Sequence, residues 1–338
     1  MKRTIKLMSL LLAVCLCFGA LIGCSTSKTT TASNGSEQTT EKTLDYPKRT
    51  ISIEVGSDAG GDQDFTARWI AKKMQEDFGV NVVVNNNSGP AVAARRVKSL
   101  DADGYNIYVG KTNVTVEKAL GNIDDYDFED YEFLGTLCNN PGQIIAVKKT
   151  LGVNTLAELF AYCDAHPGEL RITDNIGSNT QVTVNMLLTA GLKATSVDIG
   201  GASLKTTAFL GDHVEIFVGL YSNIKDYIEA GEHIVLGTVS AERNPFFPDV
   251  PTCLEQGYQV QFDTSHVMAV KKGTDPEIVA FLSNYLKNIV DNDAQFKEDL
   301  ANAQQCTPSW ADGPTTLKRL QDEVQLLYDI GFATKSDN

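Results

Sequence analysis

The chain has 338 residues, with 29 Lys and Arg against 43 Asp and Glu, so its formal net charge is −14. Its 42% hydrophobic and 21% charged residues are typical of a globular protein of about two domains and exclude a disordered chain. The acidic excess argues against a nucleic-acid partner, which would need basic patches to displace counterions from phosphate, and against a basic membrane-surface domain. Net charge alone does not exclude an anionic ligand, because the field inside a cleft is a different quantity.

The first residues are typical of an exported protein. Three basic residues precede an apolar run from Leu7 to Ile22, which is shorter than the ~20 residues of a membrane-spanning helix. This pattern predicts a secretory signal peptide over residues 1–23. Leu21-Ile22-Gly23-Cys24 resembles the lipobox of bacterial lipoproteins, which implies cleavage before Cys24 and lipidation of its thiol. The alternative is that Cys24 is simply the third cysteine of the leader.

Lipidation would anchor the protein to the outer face of the cytoplasmic membrane. Residues 24–45 are almost entirely polar, so they cannot form a core. We expect them to be a flexible tether that holds the rest of the chain away from the membrane.

From Tyr46 onward, runs with the periodicity of strands alternate with runs typical of helices. In the first half we expect strands at 50–55, 82–84 and 105–110, and helices at about 64–78 and 91–100. The pattern then starts again, with strands at 144–147, 170–173, 214–219 and 233–240, a helix to about 165 and another ending near 191. Two helices, one opening at Pro276 and one over 313–330, end the chain.

This alternation predicts an α/β protein of two lobes, each a mainly parallel sheet flanked by helices. We expect residues 46–145 together with 266–338 to form one lobe and residues 146–265 to form the other. Ligands of such sheets bind outside the carboxyl ends of the strands. The site is therefore expected in a cleft between the lobes.

Catalytic and metal-binding patterns are not found in the sequence. The cysteines after the leader (Cys138, Cys163, Cys253 and Cys306) are widely spaced, and the four histidines are dispersed, so neither a zinc site nor a redox pair is predicted. Export permits disulfides, but four cysteines allow three pairings and buried free thiols remain an alternative. The absence of a recognisable pairing of nucleophile and base argues against an enzyme, although a catalytic centre could still assemble in three dimensions. We expect no cofactor, no metal and no enzymatic activity.

Several motifs in order along residues 46–330 resemble the extracytoplasmic substrate-binding proteins of tripartite tricarboxylate transporters. They are Tyr46-Pro47, Ala59-Gly60-Gly61-x-x-Asp64, Asp103-Gly104-Tyr105, Ile176-Gly177-Ser178, Gly200-Gly201-Ala202 and Phe247-Pro248-Asp249-Val250-Pro251-Thr252. The resemblance implies a two-lobed periplasmic-binding-protein ("Venus flytrap") fold that closes on a small solute, usually a carboxylate, as a monomer. It also implies that integral membrane permease subunits receive the solute.

Two other outputs of the same architecture remain open. The closed form could report its ligand to a sensor kinase, or the protein could serve an ABC-type transporter for an amine or amino acid. The motifs above favour the tripartite family.

The resemblance, together with the glycine-rich turns before helices, predicts a set of ligand-binding residues. In the first lobe these are Ser57, Asp58, Ala59, Gly60, Gly61, Asp64, Ser88, Gly89, Thr112 and Asn113. In the second they are Asp174, Asn175, Ser178, Asn179, Thr180, Gly200, Gly201 and Ala202. For any one of them, capping a helix is the alternative role.

The sequence also departs from the family's pattern. Gly56-Ser57 stand where a proline and an aromatic residue are usual, and the segment after the second strand reads Asn86-Asn87-Ser88-Gly89-Pro90. Four aspartates, Asp58, Asp62, Asp174 and Asp198, lie in or beside the ligand loops. If they face the ligand, they favour a zwitterion or amine over a simple dicarboxylate; the alternative is that they cap helices or point to solvent.

Overall fold

The computed structural model describes residues 44–140 and 142–334, and the strands form two sheets. The first, which defines lobe 1, contains β1 (Ile51–Val55), β2 (Val82–Asn86), β3 (Asn106–Lys111), β4 (Tyr131–Asn140), β10 (Thr264–Lys271) and β11 (Thr307–Asp312). The second, which defines lobe 2, contains β5 (Ile144–Lys148), β6 (Arg171–Asp174), β7 (Thr195–Asp198), β8 (Ile216–Gly219) and β9 (His233–Thr238). The chain therefore passes from lobe 1 to lobe 2 after β4 and returns before β10.

Both sheets combine parallel and antiparallel pairs. The order in lobe 1 is β11-β4-β10-β3-β1-β2, and in lobe 2 it is β7-β6-β8-β5-β9. The pairs β1–β2, β1–β3, β6–β7 and β6–β8 are parallel. Every antiparallel pair involves β4, β5 or β10, the strands next to the crossings. The βαβ units thus form one part of each sheet, and the crossing strands close the other.

Helices flank both sheets. They are α1 (Asp62–Phe78), α2 (Pro90–Ser99), α3 (Asn113–Ala119), α4 (Leu156–Ala165), α5 (Asn179–Thr189), α6 (Ala202–Leu210), α7 (Lys225–Glu229), α8 (Pro276–Asn292), α9 (Ala294–Gln304) and α10 (Gly313–Asp329). Their ends follow local rules: the Thr155 side chain accepts a hydrogen bond from Glu158 N at the start of α4, and α1 ends at Gly79 with φ 68°.

Each lobe has its own apolar core. Ile53 of β1, Ile70 of α1 and Leu286 of α8 are fully buried in lobe 1. In lobe 2, Ile145 and Ile216 from two strands pack in one cluster with residues of α4 and α5. A further apolar cluster joins the lobes, with Val116 of α3 and Leu327 of α10 from lobe 1 and Val182 of α5 from lobe 2.

The predicted two-lobed α/β fold is confirmed, but the sheets are mixed and not mainly parallel. The sequence pattern showed the βαβ units and missed β4, β10 and β11, whose partners are distant in the chain. The lobe boundaries at 145/146 and 265/266 stay predictions; β4 ends at Asn140 and β5 begins at Ile144, while β10 begins at Thr264.

Two further sequence predictions concern the cysteines and the N-terminus. The four cysteines after the leader are buried free thiols, the second of the two alternatives. The signal peptide, Cys24 and the tether as far as residue 43 lie outside the described residues. Over the described ranges, no helix combines the length and apolarity needed to cross a membrane.

Candidate functional site

Six loops from the two lobes surround a cavity of about 370 Å³. In lobe 1 they follow β1, β2 and β3, and in lobe 2 they follow β6, β7 and β8. All six lie at the carboxyl ends of parallel strands or of a strand next to one, where α/β sheets place their ligands. This cavity is our candidate site.

Most of the predicted site residues line this cavity. Those that do are Ser57, Asp58, Ala59, Gly61, Ser88, Gly89, Asn113, Asn175, Ser178, Asn179, Thr180, Gly201 and Ala202. Gly60, Asp64, Thr112, Asp174 and Gly200 are not among the lining residues. That any of these residues contacts a ligand stays a prediction.

Helix N-termini at the cavity offer free backbone donors. The helix α1 starts after Gly61, but the N–H of Gln63 in its first turn donates to Asp62 Oδ1 at 2.9 Å. The helices α2 and α6 start after Gly89 and Gly201, and neither glycine can supply a capping side chain. At α5, by contrast, Ser178 Oγ accepts a hydrogen bond from Thr180 N at 3.1 Å. Uncapped first-turn N–H groups carry partial positive charge and favour an anion. Two such termini, α2 from lobe 1 and α6 from lobe 2, border the cavity.

The loop before α1 is held by Asp64, which explains why this residue does not line the cavity. Its carboxylate accepts hydrogen bonds from Gly60 N, Arg68 Nε and Asn86 Nδ2, each at 2.9 Å. Burial opposes ionisation, but these donors outweigh it and lower the pKa of Asp64. Gly60 has φ 85°, a conformation that favours glycine and turns its N–H toward the carboxylate. Asp64 therefore positions the loop.

The lobe 1 floor of the cavity is a buried cluster of charges centred on Asp62. Its carboxylate forms an ion pair with Lys111 Nζ, lies 3.2 Å from His266 Nε2 and accepts a hydrogen bond from Asn140 Nδ2 at 3.1 Å. Burial would raise the pKa of Asp62, but Lys111 and His266 outweigh it and hold the pKa well below its usual range. The partners of the Asp62 carboxylate thus all belong to lobe 1.

Lobe 2 contributes a cation with no such partner. Lys205, on α6, lines the cavity and is 4% exposed. Its Nζ donates to Thr180 Oγ1 at 2.5 Å and to the Val218 carbonyl at 3.0 Å. Burial lowers the pKa of Lys205 to about 7.

Two carboxylates of lobe 1 lie against the loops of lobe 2. A Cβ at Gly201 would be 3.6 Å from Asp58 Oδ2, and one at Gly177 would be 2.7 Å from Glu117 Oε1. Neither Asp58 nor Glu117 forms an ion pair with any residue in the described ranges. They are therefore the uncompensated negative charges at the cleft.

The other two aspartates support the loop after β6. Asp174 is buried, and its carboxylate accepts hydrogen bonds from Asn175 N and Ser196 Oγ, each at 2.7 Å. Asp198 Oδ1 accepts one from Ile176 N at 3.3 Å. Of the four aspartates, then, Asp58 and Asp62 line the cavity, and only Asp58 does so without a partner.

The departure at Gly56 has a packing explanation. A Cβ there would lie 2.6 Å from Pro90 Cα, closer than a side chain tolerates, so the β1–α1 loop approaches the start of α2 because residue 56 is glycine. Gly56 in the loop after β1 and Pro90 at the start of α2, both in segments that depart from the family's pattern, therefore pack closely together.

Sequence reasoning missed several lining residues, including Lys111, Glu117, Gln143 and Lys205. Lys205 had a signal: it lies one helical turn before Phe209, and these two are the buried positions of α6, where a lysine is out of place unless it has a function. No such signal marks Lys111, Glu117 and Gln143, since their positions at the cavity depend on contacts distant in sequence.

Other features of the molecule are weaker candidates. A hollow of about 860 Å³ beside α10 carries charges that pair along the helix, Lys318 with Asp322 and Arg319 with Glu323. None of the six strand-end loops lines it. Among the described residues, no group of three His, Cys, Asp or Glu side chains could hold a metal ion.

Comparison with characterised sequences identifies the family. The profile described as "Tripartite tricarboxylate transporter family receptor" matches residues 66–329. Protein BugT of Bordetella pertussis is 27% identical over 288 residues, which are 83% of this chain and 87% of the relative.

Solved structures share the fold. The periplasmic binding protein BugD aligns with TM-score 0.75 at 23% identity, over 85% of this chain and 99% of its own. An R. palustris protein solved with adipate aligns with TM-score 0.77 at 23% identity, over 85% of this chain and 97% of its own. MatC from Rhodopseudomonas palustris with bound malate aligns with TM-score 0.73 at 21% identity, over 84% of this chain and 99% of its own. The chain belongs to the tripartite tricarboxylate transporter family receptors, a family of binding proteins and not of enzymes.

Proposed function

We propose that this protein captures a small carboxylate between its lobes outside the cytoplasmic membrane and delivers it to a tripartite tricarboxylate-type permease. The observation that carries the proposal is the set of anion-attracting groups at one cavity: the uncapped starts of α2 and α6 and the lysine of lobe 2. Each helix terminus favours an anion by about 0.3–1 kcal/mol, and a buried ammonium adds to this.

The net charge of −14 does not oppose this proposal. Surface acids farther than a Debye length of ~8 Å from the ligand are largely screened. The ligand responds instead to the groups that line the cavity. Relatives solved with adipate and with malate support a carboxylate as the first class to test.

Closure of the lobes is the step that a permease would recognise. Ligand contacts to both lobes shift the population toward the closed form, because the ligand binds that form better. Asp58 and Glu117 lie beside Gly201 and Gly177 of lobe 2, so a change in the distance between the lobes would change their surroundings. A zwitterion is the second ligand class to test, because its ammonium group could lie near these two carboxylates.

A binding panel tests the proposed function. The purified protein is heated with adipate, malate, succinate, citrate, glutamate and putrescine, and its melting temperature is measured for each. A bound ligand stabilises by RT ln(1 + [L]/Kd), about 2.7 kcal/mol at 100 times Kd. We expect carboxylates to raise the melting temperature and putrescine to leave it unchanged. A shift with putrescine alone would contradict the proposal.

Membrane anchoring and delivery are tested separately. We infer that Cys24 carries the lipid, that the chain acts as a monomer and that residues up to 45 are its tether. Labelling of cells with an alkyne fatty acid should mark the wild type and not Cys24→Ser. Uptake of the bound carboxylate should fall when the protein is deleted; a changed transcriptional response with unchanged uptake would indicate sensing instead.

A further inference from the structure

Lys205 is a buried cation whose hydrogen bonds go only to neutral oxygens. Its ammonium has three N–H donors, and Thr180 Oγ1 and the Val218 carbonyl accept two of them. Nothing in residues 44–140 or 142–334 forms an ion pair with it. A buried charge without a counterion is costly, and buried charges in proteins are usually paired or shift their pKa toward the neutral form.

The charged groups that face Lys205 do not neutralise it. On β6, which packs against α6, Asp174 attracts the ammonium from beyond hydrogen-bond distance, while its own carboxylate is bonded to Asn175 and Ser196. Across the cleft, Lys111 repels it, and Asp58 lies beside Gly201 at the start of α6 without forming an ion pair with Lys205. The remaining titratable groups on packed elements are Arg171, which pairs with Glu215, and Tyr221; β8 and α5 contain none.

We propose that Lys205 is the counterion of the ligand's carboxylate, so that the closed site takes up an anion and a proton together. This inference rests on the proposed function, since it assigns the charge recognition of that same cavity to one residue. Lys111 cannot serve in its place, because Asp62 already neutralises it. The remaining N–H of Lys205 is the donor that a ligand carboxylate would occupy.

The protonation of Lys205 follows from its burial. With a pKa of about 7 in the ligand-free protein, the side chain is partly neutral at pH 7 and mostly neutral at pH 8.5. A carboxylate within hydrogen-bond distance favours the charged form and raises this pKa. Binding above pH 7 must then draw a proton from solution, and affinity must fall as the pH rises.

Two substitutions separate charge from shape. Lys205→Met removes the charge and keeps most of the volume, and Lys205→Gln keeps a neutral hydrogen-bond donor. Both should weaken binding of adipate, malate or succinate by about 10- to 100-fold, the usual worth of a hydrogen bond to a charged group. Lys193→Met, at an exposed lysine paired with Asp164, should leave the dissociation constant unchanged. Calorimetric titration measures all four proteins.

The outcomes distinguish the two levels of the account. If the wild type binds a carboxylate and both Lys205 variants bind it equally well, the counterion inference is wrong and the proposed function stands. If the wild type binds no carboxylate of the panel, both fail. A Lys205→Met protein whose ligand-free form melts no lower than the wild type, and which has lost affinity, supports the inference and excludes misfolding as the cause.

Discussion

The two lobes treat charge at the cleft in opposite ways. Lobe 1 neutralises its own buried groups, with Asp62 held between Lys111 and His266, and it leaves Asp58 and Glu117 at the boundary. Lobe 2 places Lys205 at the cavity with only neutral acceptors. The buried charges of lobe 1 are thus neutralised within that lobe, whereas under the proposal above the ligand supplies the negative charge that Lys205 of lobe 2 lacks.

Removal of the Asp62 carboxylate should have the largest effect. In Asp62→Ala the buried Lys111 and His266 lose a shared partner, and breaking a buried pair costs about 3–5 kcal/mol, which urea unfolding at pH 7 would measure. Asp322→Ala, which removes an exposed pair with Lys318, should cost no more than about 1 kcal/mol. Equal losses would contradict the self-sufficiency of lobe 1.

The same cluster predicts that the contribution of Asp62 to the stability of the fold is lost at low pH. Because the pKa of Asp62 is depressed in the folded protein, its contribution is present above the unfolded value of about 3.9 and is lost as the pH falls below it. The stability difference between the wild type and Asp62→Ala should therefore shrink between pH 5 and pH 2.

Lys205 should have the opposite influence on ligand-free stability. Replacing a buried ion pair by apolar residues is often stabilising by about 1–4 kcal/mol. The desolvation of Lys205 is not offset by a counterion, so Lys205→Met should be more stable than the wild type at pH 6. The unfolded chain binds more protons than the folded one between pH 7 and about 10.4, so wild-type stability rises relative to the variant over that range. Unfolding measurements should therefore give a smaller difference in unfolding free energy between Lys205→Met and the wild type at pH 9.5 than at pH 6. An equal difference at both pH values would contradict the burial of an unpaired charge at Lys205.

Gly56→Ala tests whether the loops of lobe 1 are rigidly packed. The added Cβ meets Pro90 Cα at 2.6 Å, and overpacking of this kind costs about 1–3 kcal/mol. At Gly89 there is open space and φ is 167°, so Gly89→Ala should cost less than about 1 kcal/mol. A tolerated Gly56→Ala would mean that this loop shifts freely.

Asp58→Asn should give the smallest change. Removal of a like charge at the cleft should tighten binding of adipate or malate about 2- to 10-fold, since the site is partly screened. Asp198→Asn, which removes a charge outside the cavity lining, should change the dissociation constant less than twofold. Weaker binding in Asp58→Asn would show instead that the ligand carries a positive group.

The sequence predicted those parts of the molecule that local rules govern. Strand-to-helix turns, such as Gly60-Gly61 before α1 and Ser178 before α5, are visible because glycine and capping residues act within a few positions. Together with the family resemblance, their placement at strand ends predicted somewhat fewer than half of the residues that line the cavity.

The parts that could not be predicted depend on distant partners. The strand β11 contains Pro308 and few apolar residues, and its pairing with β4 joins residues far apart in the chain. The role of Asp62 is set by Lys111 and by His266, 204 residues away. Periodicity contains no information about such contacts, so the balance of charge at the cleft required the structure.

The number of protons taken up on ligand binding tests the role of Lys205 most directly. Titration of the wild type with the carboxylate of highest affinity is repeated at pH 8.5 in two buffers that differ in ionisation enthalpy. The account predicts uptake of close to one proton per ligand at pH 8.5, close to none at pH 6, and none at either pH in Lys205→Gln. Tight binding at pH 8.5 with no proton uptake would contradict the claim that Lys205 is the counterion.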